Sequence, residues 1–250
     1  MTQGTPFILG HGTISMTTAD MVKELQTLGT ESYRKVLMNH GAREPVYGVK
    51  ISDLKAIQKR VKKDHQLALD LFDTGAYDAQ YLAGLIADET RMTQKDLKHW
   101  LARGNCPAIC GSIVAWVAAE SRHGHQLAQE WIESKKENTA HTGWETLSSL
   151  VAITDDADLD LSELTSLLKR VEQTIHQLPN HVRYGMNDFV IAVGTYVRDL
   201  TELAIKTGAS IGVVSVDMGD TACEVPSALD HIRKAQQRGT IGKKRKSAKC

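Results

Sequence analysis

The sequence predicts an all-α protein, an α-solenoid in which antiparallel helix pairs stack into a superhelix. Three observations lead there. Apolar residues recur at three- and four-residue steps along most of the chain, helix breakers interrupt them every dozen or so residues, and β-signals are almost absent before Ile211. A pair of short helices has more apolar surface than it can cover by itself, so neighbouring pairs must stack on it. The units share no visible consensus, and the expectation rests on the succession of helices.

Residues 1–16 are Gly- and Thr-rich and read as an irregular arm, followed by a helical-repeat domain over 17–208. Thr18 precedes Met21, Val22, Leu25 and Leu28, and Gly29 ends that run. A second helix around Tyr33, Val36 and Leu37 stops at Gly41, and Pro45 with Gly48 makes a connector. Ser52 opens a helix with Leu54, Ile57 and Val61 on one side and Lys55, Lys59, Lys62 and Lys63 on the other. Helices over 66–73 and 78–87 flank the breaker Gly75, and Thr93 with Asp96 begins another that Gly104 ends. Further helical runs follow from Ile109, from Leu127, over 143–153 and over 159–175.

In the next helix Val182, Met186, Phe189, Val190 and Val193 line one side. A neighbouring side carries Arg183, Asn187 and Gly194, and the bare Gly194 lets a large partner come close. Asp199 with Glu202 reads as the capping pair of the following helix and Gly208 as its stop. A C-terminal extension over 209–238 contains the β-branched segment 211–216 and a last helix from Pro226. Residues 239–250 form a basic tail too polar to pack.

The composition, 42% hydrophobic and 24% charged, is that of an ordinary folded soluble chain, which argues against extensive disorder. No apolar run approaches the ~20 residues needed to span a bilayer, and the first residues lack the basic start of a secretory signal. The four cysteines are too unevenly placed for a disulfide framework, which fits a reducing cytoplasm. Net charge is zero, but its distribution is lopsided. Residues 31–70 hold nine Lys/Arg against five Asp/Glu, residues 151–180 six acids against two bases, and residues 231–250 eight bases and no acid. Two basic regions of this kind can steer a polyanion despite the neutral total.

Few constellations suggest chemistry. Cys106, Cys110 and His99 lack the further spaced ligands of a zinc site, and buried thiols explain the cysteines better. The acids at 156, 158 and 160 begin like a calcium loop, but Leu161 and Leu167 stand where it needs Gly and Glu. No metal and no cofactor is expected, and no phosphate-binding glycine loop or nucleophile elbow is present. Lys55, Lys59 and Lys62 on one helix, Arg183 and Asn187 on another, and Lys243, Lys244, Arg245 and Lys246 in the tail are the candidate contacts to a phosphate backbone. Trp144, between Gly143 and Glu145, is the indole expected to be exposed for stacking.

With these helices in place the chain resembles the HEAT-like DNA alkylation repair family, whose glycosylases remove alkylated purines without flipping the base. The resemblance is carried by residues 47–57, 75–88 and 100–114, and by Val182-Arg183 with Asn187 and Gly194, together spanning most of residues 20–208. Residues 216–226 and the Gly-Lys-Lys-Arg-Lys stretch look like those of one branch of it. The resemblance implies a HEAT-like superhelix that binds duplex, branched or alkylated DNA. Active members carry a Trp, an Asp four residues later and an Arg, where this chain has Pro107, Gly111 and Thr142; a further Trp corresponds to Asp188. No carboxylate lies between Asp96 and Glu120 to restore the acid that steadies the cationic sugar.

The expected function is therefore DNA binding through the backbone, with excision doubtful. If an acid remains, Asp188 and Glu145 are the candidates, in a glycosylase with rearranged catalytic groups. A non-enzymatic scaffold with a protein partner is the other alternative.

Overall fold

The structure is a computed structural model that describes residues 16–219 and 221–249; the arm expected over 1–16 lies, but for its last residue, outside them. The helices are α1 (Thr18–Leu28), α2 (Glu31–Asn39), α3 (Ile51–Val61), α4 (His65–Asp73), α5 (Tyr77–Ile86), α6 (Gln94–Arg103), α7 (Ala115–Glu120), α8 (Gly124–Ile132), α9 (Glu137–Ile153), α10 (Leu161–Thr174), α11 (Asn180–Tyr196), α12 (Thr201–Ile211) and α13 (Ala228–Gln237). A π-helical stretch, Ile109–Val114, leads directly into α7. No strand occurs among the described residues, so the β-branched 211–216 segment leaves α12 as irregular chain. Nor, among those residues, is any helix long and apolar enough to cross a membrane.

Local chemistry explains most boundaries. Thr17 with Asp20, and Thr93 with Asp96, make reciprocal capping boxes that satisfy the first free N–H groups of α1 and α6. The expected cap and stop of α12 are both corrected. Asp199 lies in a 3-10 turn, α12 starts at Thr201 without a side-chain cap, and the helix runs past Gly208 to Gly212 at φ 58°. Gly208 serves packing: a Cβ there would lie 3.0 Å from the backbone nitrogen of Leu229, at the start of α13.

The helices form two rows. In one, α3, α5, the π-helical stretch with α7, α9, α11 and α13 pack in succession; α4, α6, α8, α10 and α12 lie behind them. The apolar core is correspondingly drawn out. One stretch, from Met21 to Trp131, holds Phe72 stacked on Trp100 at 4.2 Å, and a second, from Ala128 to Ile232, takes over along α8. Gly194 does admit a close partner, but that partner is α13, since a Cβ would lie 2.4 Å from Ile232 Cδ1. Asp78, fully buried, accepts backbone N–H groups from Tyr47 at 2.6 Å and Val49 at 2.8 Å, tying the connector before α3 to α5.

The tail does not hang free, which overturns the expectation that it is too polar to pack. It crosses the C-terminal ends of four successive helices of the first row. Gly242 N–H donates to Thr195 O of α11 (2.9 Å) and Arg245 N–H to Ala152 O of α9 (2.8 Å). Lys244 Nζ reaches Val151 O at 2.9 Å and Asp156 at 2.8 Å. Ser247 Oγ and Ala248 N donate to Glu120, the last residue of α7, at 2.5 and 2.6 Å, and Lys249 Nζ pairs with Glu89 beyond α5. Helix C-termini present unpaired carbonyls and a negative dipole end, and a cationic strand rich in N–H donors satisfies both. Polarity here is the means of packing.

Removing residues 241–250 takes Lys249 from Glu89, which keeps Lys63, and takes the Ser247 and Ala248 donors from half-buried Glu120. The truncated protein is expected to lose about 1–3 kcal/mol of unfolding free energy in a denaturant titration, the usual cost of lost hydrogen bonds to charged groups.

Candidate nucleic-acid interface

The strap ends beside the cationic stripe of α3. Lys59 and Lys62 are exposed and Lys55 half-buried. Lys63 pairs with Glu89 at 2.5 Å and lies 3.9 Å from Asp88. A cleft of about 460 Å³ opens between Lys59, Lys62, Lys63, Lys249, Glu89 and Glu120. Burial works against ionised Glu89, but hydrogen bonds from Lys249 and Lys63 outweigh it and hold its carboxyl below the usual range. The two acids in the cleft are thus occupied, while Lys59 and Lys62 face outward with Lys243 and Lys246 of the strap, both exposed. Lys244 and Arg245 are half-buried and hold the strap down.

The anchors run from Gly242 to Lys249, seven residues, so the strap's backbone spans at most about 25 Å. Lys62 is itself unusual. It is the one non-glycine among the described residues with positive φ, at φ 64° and ψ −131°, a backbone shape L-residues rarely adopt.

The other predicted contacts lie elsewhere. Trp144 is fully buried, its ring 5.3 Å from Phe189 and overlain by the Arg170 guanidinium at 5.6 Å, so the expected stacking role is corrected. Its flanking Gly143 signals packing on α8, where a Cβ would meet Ile132 N at 2.7 Å. Asn187, 1% exposed, donates to Pro226 O at 3.0 Å. Arg183 is half-buried, with a 3.4 Å bond to Asn180. The cysteines sought for zinc are packed thiols, and burial pushes Cys110 up to about 12.

Glu145 and Asp188, by contrast, are brought together, on α9 and α11. His141 lies one turn before Glu145, its Nε2 3.4 Å from Glu145 Oε1, and Tyr184 one turn before Asp188. The His141 imidazole fills the space beside Gly111, where a Cβ would lie 2.3 Å from its Cε1. The space beside Gly111, where the resemblance places the family's acid, is thus filled by a histidine, with the Glu145 carboxyl behind it. Burial raises Glu145 to about 8 and lowers His141 to about 4. Asp188 is held well above the carboxylate range by burial first and by Glu145 second. At neutral pH the contact between His141 and Glu145 therefore joins neutral groups. Periodicity could have found this cluster: the spacings 141/145 and 184/188 each put two polar side chains on one helix face.

A two-row array of stacked helices is the architecture of a helical-repeat protein. The pattern of the DNA alkylation repair enzyme family matches residues 21–231, and the chain belongs to that family. It is 34% identical over 220 residues to Lin0241 of Listeria innocua and, to the same extent, to Lmo0209 of Listeria monocytogenes, covering 86% of this chain and 95% of each. A solved structure from a family related to the HEAT-like repeat DNA glycosylases, with affinity for branched DNA structures, superposes with a TM-score of 0.87 at 32% identity over 94% of this chain and all of that one. The fold is accordingly a HEAT-like superhelix.

Two outcomes test the electrostatics and the strain. Because the Glu145 carboxyl titrates higher in the folded chain than in the unfolded one, the wild type loses stability as pH rises from about 4.5 to about 8. Glu145→Gln lacks this loss, so its advantage in thermal unfolding should grow over that window, to on the order of 3 kcal/mol at pH 8. Lys62→Gly should raise stability by about 1 kcal/mol by relieving the backbone, while weakening any polyanion binding.

Proposed function

We propose that this protein holds branched DNA by its phosphate backbone, along the edge formed by Lys59 and Lys62 of α3 and by Lys243 and Lys246 of the strap. The observation that carries the reading is the strap itself. It fixes cations that would otherwise sweep freely, so contact with phosphates costs less ordering, and it neutralises the two acids nearest them. Affinity for branched DNA in the structurally similar family supports the same reading. Excision of alkylated purines is less well supported. Asp188 and Glu145 stand behind His141, which fills the space beside Gly111, but burial favours their neutral forms, and a neutral carboxyl does not supply the charge that steadies a cationic sugar. A cytoplasmic setting suits free cysteines and a DNA partner.

Titrations of duplex and branched DNA over a range of salt test the proposal. Affinity should fall steeply with salt, and each of Lys59→Ala, Lys62→Ala, Lys243→Ala and Lys246→Ala should flatten the log–log slope by about 1. Absence of binding at low salt to either DNA would end it.

A further inference from the structure

The segment between α12 and α13 takes no part in the basic edge, but it reaches across the molecule. Asn180 of α11 exchanges hydrogen bonds with the backbone of Asp217 at 2.8 and 2.7 Å, and Asn187 holds Pro226 at 3.0 Å. Between these fixed points the chain meets α2. Cys223 Sγ lies 3.5 Å from Nε2 of His40, the residue that ends α2 and stands 183 positions earlier. The imidazole is already oriented, its Nδ1 lying 2.8 Å from Val36 O. A carbonyl only accepts, so Nδ1 carries the proton, and in the neutral ring Nε2 is left as a base aimed at the thiol. Both residues are exposed.

The hydrogen bond with His40, and next that with Thr221, holds the Cys223 thiol below its usual range, while the Val36 carbonyl and then Cys223 raise His40. Both shifts favour a thiolate facing an imidazolium. From α11, the Tyr184 phenol lies within reach of the Cys223 charge; Asp188 above all, and then burial, raise it, so it stays neutral there.

We propose that Cys223 is a reactive thiol, with His40 as its base, that exchanges with low-molecular-weight disulfides and carries a reversible mixed disulfide where α2 meets the C-terminal extension. The proposal is independent of the DNA-binding reading. His40 Nε2 takes the proton of the Cys223 S–H, and the thiolate attacks one sulfur of the small disulfide. A bond forms between that sulfur and Cys223, the original S–S bond breaks, and the other half leaves as a thiolate that takes up the proton from His40. Cys223 is oxidised and the departing sulfur reduced, so the small disulfide is itself the oxidant. Cys106 and Cys110 do not compete for it, because both are buried and burial raises both thiols.

The test uses the full chain carrying Cys250→Ser, with dithiodipyridine at about pH 6 as the small disulfide and released thiopyridone as the readout. One thiol should react about tenfold faster than the average thiol of the urea-unfolded chain, the gain in thiolate being partly offset by its weaker nucleophilicity. Cys223→Ser should abolish this fast phase. His40→Ala and His40→Gln should each remove the advantage and move the rise of the pH–rate profile toward the ordinary thiol range near ~8.5, with circular dichroism as in wild type. Oxidised glutathione should add one glutathionyl group, placed on Cys223 by peptide mass, and dithiothreitol should remove it. A thiol no faster than in the unfolded chain, a pH profile that neither His40 variant moves, or no glutathionyl group on Cys223 overturns the proposal and leaves DNA binding standing.

Discussion

The ends of parallel-running helices are the constraint around which this molecule is arranged. In a row of stacked helices every C-terminus leaves carbonyls unpaired and points the negative end of a dipole the same way. Here the chain's own last residues lie across that row. Backbone N–H groups of Gly242 and Arg245, the ammonium of Lys244 and the paired acids Glu89 and Glu120 convert a line of unsatisfied groups into one fastened seam. The seam links units that otherwise touch only their neighbours, and it presents its remaining lysines outward. One polar interaction thus serves both stability and the candidate function.

The acids of α9 and α11 answer to a different logic. Glu145 and Asp188 are half-buried without lysine or arginine partners, which lowers stability at neutral pH, and the imidazole beside Glu145 leaves a nitrogen unpaired. Groups kept at such a cost are common where a ligand completes the set. Asp78 makes the contrast: that carboxylate, fully buried where Glu145 and Asp188 are half-buried, receives backbone N–H groups from the connector, so its role is architectural. Part of what makes the sequence resemble its family is therefore scaffold.

Much of the fold was legible because local rules and packing agree. The stripe Leu54, Ile57 and Val61 of α3 and the capping pair at Thr93 and Asp96 state a helix face and a helix start within a few residues. The resemblance, carried by residues such as Tyr47, Asp78 and Trp100, was legible too, since these lie at the contacts that stack one unit on the next. Less of the candidate site could be read. Lys59 and Lys62 declared themselves by charge, but Trp144 and Asn187 read as surface residues because their glycine and polar neighbours suggest exposure. Burial is decided by what packs against a residue: the preceding helix α8 folding back on Gly143 and Trp144, and Pro226, 39 residues beyond Asn187.

The sequence by itself determined the class of the protein, the order of its helices and the uneven placement of its charge, because helix periodicity, capping and net charge are properties of neighbouring residues. Only the tertiary structure decided that the basic tail is a strap, that Gly194 and Gly208 are seats for α13, and that a histidine occupies the space beside Gly111. Each of these depends on contacts between residues tens of positions or more apart, and stacking alone brings them within a few ångströms of each other.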